Sequence, residues 1–293
     1  MNHKPKFEEF EILTGEQVIG QRRQISILTS DIVQNLEFLV KKHNDEKPHC
    51  DRGFYSYVYF MKYRKKRLAE SGNYAKLLRD TYFCEELKKV LKDFGMGQRG
   101  SKFSSLSQFQ NTLVKASTDF DLLSLAEIRL ETLDLKQEIE NETTYSVIKR
   151  IYKLFSYPGN LSNSGGVVIA SKTMHMIMPE LFIMIDSYVA NTLNKIFDYN
   201  PHPEDGESWY AIIPNYDGLK LNRKDTESWD INRYIAALIY YKRILREWCE
   251  KNNSDIQGFL NLDAQYNSTI PRIIDKALWW ENIEKLLQTE NKT

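Results

Sequence analysis

Apolar residues recur three or four positions apart along most of the chain, which is the spacing of one face of an α-helix. The clearest example is residues 229–249, and residues 144–155 form a second strongly amphipathic segment. The apolar positions of the first example are Ile231, Tyr234, Ile235, Leu238, Ile244, Leu245 and Trp248. No segment shows the sustained alternation of a strand ladder. The pattern therefore predicts an all-α fold.

Turn-forming residues divide this pattern into about nine or ten helices. The other predicted helices cover 14–43, 54–70, 74–94, 106–115, a segment from Asp119 or Asp121 to Leu130, 167–178, 186–197 and 271–287. Residues 198–228 are rich in turns, and 209–214 could form a short hairpin. The glycine-rich loop at 95–105 indicates a soft boundary. We expect an N-terminal helical region over 1–94 and a C-terminal one over 95–293, either as two subdomains flanking a cleft or as one domain.

Composition argues against several classes of protein. The chain has 293 residues with 40 basic and 40 acidic side chains, and this zero net charge argues against a surface that is basic throughout. Its three cysteines, Cys50, Cys84 and Cys249, are far apart and form no CxxC motif, which argues against a zinc ribbon. Their small, odd number favours a reducing compartment, the cytoplasm. The N-terminus lacks the apolar region of a signal peptide, and no apolar run is long enough to span a membrane. Scattered histidines and the lack of a nucleotide-binding motif predict neither a metal nor a cofactor.

Candidate chemistry lies in the apolar segment SKTMHMIMPELFIMIDSYV, residues 171–189, which contains Lys172 and Asp186. A polar loop with Gly165 and Gly166 precedes it. The loop and the segment contain four elements in order: a glycine-containing hairpin, a helix with a Lys-Thr pair, a turn and an Asp-x-x-Val element. Over about residues 140–200 this order resembles the core of the helix-hairpin-helix DNA glycosylase superfamily.

The resemblance implies a DNA-acting enzyme that excises bases. Lys172 would be the amine nucleophile, because a desolvated lysine loses its proton more easily. Asp186 would help to activate the attacking group and would stabilise positive charge on the sugar. The backbone N–H groups at Gly165 and Gly166 would hold a DNA phosphate. The alternative interpretation makes Lys172 a surface residue and Asp186 a helix cap.

Further residues are candidates for substrate binding. His175 shares a helix face with Ser171, and Tyr188 lies within the Asp-x-x-Val element. In residues 268–280, Arg272, Asp275 and Trp279 fall on one helix face and could line a pocket. The alternatives are a core histidine, a surface ion pair and a tryptophan that covers the core.

Aromatic and basic residues are interleaved in YVYFMKYRKKR, residues 57–67, the densest basic run in the chain. Such a run can stack on bases and hold phosphates, and Arg64, Lys65 and Arg67 are the predicted contacts. A solvated helix face with a buried aromatic stripe would give the same pattern. Three functions thus stay open: a glycosylase-like enzyme, a non-catalytic helical module that binds nucleic acid or protein, and an enzyme on a small substrate bound by Arg272, Asp275 and Trp279.

Overall fold

A computed structural model describes residues 21–46, 52–97, 101–198 and 231–290 of the chain. These residues form twelve α-helices, two 3-10 turns and one short β-hairpin, so the predicted all-α fold is confirmed. The helices are α1 (Gln21–Glu46), α2 (Arg52–Ser71), α3 (Tyr74–Arg79), α4 (Thr81–Asp93), α5 (Leu106–Asp119), α6 (Leu122–Glu127), α7 (Thr144–Ser156), α8 (Val167–Ile177), α9 (Ser187–Asp198), α10 (Ile231–Asn252), α11 (Ile256–Asn261) and α12 (Ile270–Glu290). The hairpin pairs β1 (Glu138–Ile139) with β2 (Glu142–Thr143) in antiparallel register. The predicted helix start near residue 14 and almost all of the turn-rich segment 198–228, with its hairpin, lie outside the described residues.

Aspartate caps set several helix starts. The prediction of one helix over 74–94 is wrong, because Asp80 ends α3 and begins α4. Its carboxylate accepts a hydrogen bond from Tyr82 N at 3.0 Å and also pairs with Arg67. Asp121 is the cap of α6, where it accepts from the backbone N–H groups of Leu123 and Ser124.

The chain divides into two compact units, and the division differs from the boundary predicted near residue 95. The first unit consists of the described residues up to His43 and from Ile185 onward, and the second of those from Asn44 to Met184. The glycine-rich loop does not separate domains because its end is tied to the loop before α8. Lys102 N donates to Asn163 Oδ1 at 2.6 Å, and Asn163 N donates back to Lys102 O at 2.9 Å.

In the second unit α2 and α4 pack as an antiparallel pair. Ser56 Oγ donates to Asp93 Oδ2 at 2.5 Å at one end, and Arg67 bonds Asp80 at the other. Cys84 lies between these ends, fully buried, with its thiol directed at Leu78 O at 3.5 Å. Burial, with a smaller contribution from Asp80, raises the pKa of the Cys84 thiol to about 12.

In the first unit the middle of α10 is deeply buried. Every residue from Tyr234 to Tyr241 is at most 7% exposed, so this stretch is enclosed on all sides. Helices α9 and α12 pack against each other, and Thr192 Oγ1 donates to Leu278 O at 3.0 Å between them. In the part of the chain that the structure describes, no helix is both long and apolar enough to cross a membrane.

Candidate functional site

Lys172 lies in the core of the second unit. It is 4% exposed, and its Nζ lies 5.0 Å from the centre of the Phe94 ring, where the cation contacts the aromatic face. Ten of the eleven residues of α8 are buried, so this helix has no solvent-facing side on which a lysine could be presented. The alternative of a surface lysine is therefore wrong. Burial agrees with the desolvation expected of an amine nucleophile, but a nucleophile must also reach its substrate, and a side chain that is 4% exposed has almost no surface for that contact.

His175 is also a core residue of the second unit. Its Nδ1 lies 2.6 Å from Phe182 O, and its Nε2 lies 2.9 Å from Tyr57 Oη. A carbonyl oxygen only accepts hydrogen bonds, so Nδ1 carries the proton and Nε2 accepts from the tyrosine hydroxyl. The side chain is fully buried with both nitrogens engaged, which favours the core role over substrate binding.

The glycine loop before α8 uses its N–H groups internally. Gly165 N donates to Ser162 Oγ at 3.0 Å, and Gly166 N donates to Ser156 O at 2.8 Å. Gly165 has a φ of 63°, and a Cβ there would lie 2.2 Å from Ser156 O. These two glycines therefore close the turn between α7 and α8, and their N–H groups do not point outward for a phosphate.

Two of the three predicted phosphate contacts on α2 are structural. Arg64 is 6% exposed and donates to Ile177 O at 2.6 Å and to Tyr74 Oη at 3.1 Å. Arg67 donates to Asp80 and to Glu70. Lys65 is exposed and can reach a ligand.

A second, exposed face of α2 carries both aromatic and basic side chains, as the interleaved sequence pattern predicted for this segment. Tyr55 and Tyr59 are 62% and 60% exposed, and Lys62 and Lys66 are exposed as well. These positions are i, i+4, i+7 and i+11, and at 100° a residue they fall within about 60° of one another. We call this set, Tyr55, Tyr59, Lys62 and Lys66, the Tyr–Lys face. The sequence-based prediction chose Arg64, Lys65 and Arg67, two of which lie on the buried side of the helix, although the spacing of the Tyr–Lys face is present in the sequence.

The outer ring of this face is supported from below. The rings of Tyr59 and Tyr63 are nearly parallel, at 11° and with centres 6.4 Å apart, and Tyr63 and Phe83 repeat the arrangement at 10° and 6.5 Å. Phe83 is fully buried in α4. A series of rings thus runs from the core of the second unit to the exposed Tyr59.

In the first unit, Asp186 is the N-terminal cap of α9. Its Oδ1 accepts from Tyr188 N at 2.9 Å and from Val189 N at 3.0 Å, as the helix-cap alternative predicted. The carboxyl group is half-buried. The Tyr188 ring lies 5.1 Å from that of Trp279, which is half-buried on α12. Asp186, Tyr188 and Trp279 therefore belong to one region of this unit.

Buried charges lie on the same helix, α12. Arg272 and Asp275 form an ion pair and are 4% and 5% exposed. Lys276 donates to Asp263 at 2.5 Å, and its Nζ lies 4.7 Å from the centre of the Tyr266 ring. Because Arg272 and Asp275 neutralise each other, this pair gives a small-substrate pocket little support. Sequence reasoning missed Lys276 and Asp263, which are thirteen residues apart and are brought together only by the turn before α12.

The hydroxyl of Tyr241 lacks a hydrogen bond among the described residues, although it is fully buried. Burial raises its pKa well above the usual value, and the carboxylates of Asp275 and Asp186 raise it further. The group is therefore a neutral hydroxyl at neutral pH.

Within the described ranges, no three His, Cys, Asp or Glu side chains lie close enough together to hold a metal ion.

Comparison with known proteins adds no assignment: the chain matches no family model, no curated protein and no solved structure.

Proposed function

We propose that this protein binds nucleic acid through the Tyr–Lys face of α2. The observation that carries the proposal is that two tyrosine rings and two lysine ammonium groups lie exposed on one side of a single helix. Tyrosine rings stack on bases, and lysines neutralise phosphates. The helix has six basic residues and one acidic residue, so its local charge is positive although the whole chain is neutral.

The phosphate contacts proposed for this face are lysines, in place of the arginines predicted from the sequence. Lys62 and Lys66 lie on the face, and Lys65 flanks it. Arg64 and Arg67 hold α2 within the second unit. Glu70 lies at the end of the helix, where it pairs with Arg67 at 2.8 Å and with Lys66 at 3.9 Å. The exposed Lys66–Glu70 pair is weak, so a phosphate can displace the carboxylate.

The test is the salt dependence of binding, measured by fluorescence anisotropy with labelled single-stranded and duplex DNA. Wild type should bind with an affinity that falls as salt rises. Lys62→Gln with Lys66→Gln should reduce the slope of log K against log salt by about 1.4 for a single strand and about 1.8 for duplex. The control pair Lys115→Gln and Lys153→Gln removes the same charge from exposed positions on α5 and α7 and should leave the slope unchanged. An equal loss in both pairs, or no salt-dependent complex at all, would contradict the proposal.

A second candidate function is base excision with Asp186 as the residue that supports the sugar cation. It is favoured by a half-buried carboxylate whose two helix-cap hydrogen bonds both fall on one oxygen, Oδ1. The burial of Lys172 favours direct hydrolysis over an imine intermediate in this candidate. The test is base release from DNA that carries damaged or mismatched bases, with borohydride trapping in parallel. Release that is lost in Asp186→Asn and kept in Lys172→Met, without a trapped adduct, is the expected result. Absence of release from every substrate would leave nucleic-acid binding alone.

A further inference from the structure

The two exposed tyrosine rings of α2 bear on which form of nucleic acid the Tyr–Lys face takes. In a duplex the flat faces of the bases are covered by their neighbours, and a helix in the major groove reads base edges with side chains such as Arg, Lys, Asn and Gln. A tyrosine ring has little to contribute to that readout. Unpaired bases expose their faces, and aromatic side chains stack on them with little dependence on sequence.

The arrangement of the rings favours stacking. Tyr59 is the exposed end of the ring series that continues through Tyr63 to the buried Phe83, so this contact restricts its orientation before any ligand arrives. A ring that is already ordered loses little conformational freedom when a base stacks on it. Tyr55 lies one turn earlier on the same face and contacts Phe54 edge to face, with ring centres 5.4 Å apart.

The two lysines of the face follow the two tyrosines along the helix axis. The two tyrosines are separated by four residues, as are the two lysines, which is about 6 Å along the helix axis at 1.5 Å a residue. A flexible strand laid along α2 would meet two rings and then two ammonium groups. In a duplex the phosphates of both strands surround the bases, so it cannot offer bare bases to the rings and phosphates to the lysines along one line.

We infer that the Tyr–Lys face takes single-stranded nucleic acid in preference to duplex. The inference rests on the proposed function and adds the class of ligand. DNA and RNA single strands share the unpaired bases and the phosphates that this face recognises.

The experiment compares one labelled oligonucleotide of mixed sequence as single-stranded DNA, as single-stranded RNA and as DNA annealed to its complement, each with the full chain at the same salt. The wild-type protein should bind at least one of the single strands about tenfold or more tightly than the duplex. Tyr59→Ala should lose about 5- to 150-fold in single-strand affinity and much less in duplex affinity. The tighter of the two single strands identifies the source of the ligand, and either result supports the inference.

Two control variants separate stacking from other effects. Tyr59→Phe keeps the ring and should keep the preference. Tyr157→Ala removes a tyrosine that is 66% exposed in the loop after α7 and should bind like wild type. Equal affinity for single strand and duplex, with Tyr59→Ala weakening both alike, would overturn the inference and leave nucleic-acid binding in place. Absence of binding to all three ligands would overturn the proposed function itself.

Discussion

Four charged residues in the core of the first unit are held as two ion pairs, and this pairing explains how they can be buried. Lys276 and Asp263 are 2% and 1% exposed, and Arg272 and Asp275 are nearly as deep. An isolated charge at such a site would cost several kcal/mol, so each of these groups depends on its partner. The lysines of the exposed Tyr–Lys face are different, because both are solvated and the pair that Lys66 forms with Glu70 at 3.9 Å is itself exposed.

The unit should become more stable as the pH rises through the range in which Lys276 loses its proton. Burial, with repulsion from Arg272, lowers the pKa of Lys276 from 10.5 to about 8, against the opposing attraction of Asp263. Between about pH 8 and pH 10 the unfolded chain therefore binds more protons than the folded one, and the free energy of unfolding should rise by at most about 3 kcal/mol. Urea denaturation at several pH values measures this. The double variant Lys276→Met with Asp263→Asn should lack this part of the pH dependence, and an unchanged dependence would contradict the assignment to Lys276.

The Tyr241 hydroxyl should be dispensable for stability. Because it is buried without a hydrogen bond among the described residues, Tyr241→Phe should leave the free energy of unfolding unchanged or raise it by about 1 kcal/mol. Tyr57→Phe is the matched control, since it removes a buried hydroxyl that donates to His175 at 2.9 Å and should cost about 1–3 kcal/mol. Chemical denaturation of both variants tests this. A large loss in Tyr241→Phe would mean that the hydroxyl has a partner in solution.

Helices of the second unit are joined by turns with specific backbone requirements. The connection from α7 to α8 places Gly159, Gly165 and Gly166 at positive φ, which only glycine adopts without strain. Gly165 is required for a second reason as well, because a Cβ there would clash with the backbone at Ser156 O.

Gly165→Ala should therefore destabilise the second unit by more than about 3 kcal/mol, since it combines strain with a backbone clash. Gly159→Ala is the control, because Gly159 has a similar φ of 89° and open space around its Cβ position. It should cost only about 1 kcal/mol. Thermal unfolding followed by circular dichroism compares the two. Equal losses would mean that the turn can move away from Ser156.

Helix positions were largely predictable from the sequence, and the exceptions have local causes. The segments 144–155 and 229–249 were found within three residues of α7 and α10 because apolar faces and stop signals coincide there. The break at Asp80 was missed because the apolar pattern runs through it, and the aspartate acts by capping and by pairing with Arg67. The helix α11 was missed, although Ile256, Phe259 and Leu260 follow helical spacing after the cap Asp255.

The candidate site was less predictable. Asp186 was correctly recognised as a possible cap, because capping is a local property of the chain. The burial of Lys172 depends on how α8 is enclosed by other helices, and no spacing within α8 reports it. The division of α2 into a structural arginine side and an exposed Tyr–Lys face likewise depends on where α4 packs.

At the level of the chain, the two units differ in continuity. The second unit is one uninterrupted stretch, Asn44–Met184, with its own apolar core, whereas the first joins segments from both ends of the chain. Typical fully buried residues of the second unit are Leu77, Leu87, Leu113, Ile148 and Ile169. A continuous stretch with its own core meets the usual conditions for folding alone.

A fragment that covers residues 44–184 should therefore fold by itself. Its circular dichroism should be strongly helical, and its thermal unfolding should be a single cooperative transition. The same fragment with Gly165→Ala is the internal control, since it should unfold at a lower temperature. A fragment without a cooperative transition would show that the second unit depends on the rest of the chain.

The burial of Cys84 makes its alkylation rate a measure of how often the second unit opens. Alkylating reagents attack the thiolate, and at neutral pH this thiol is both enclosed and, with a pKa of about 12, almost wholly protonated. It can react only when the helices around it open, so its alkylation rate counts opening events. A nucleic acid bound to α2 should suppress those events and slow the reaction. Occupancy of the Tyr–Lys face could thus be followed by mass spectrometry at a cysteine that never touches the ligand.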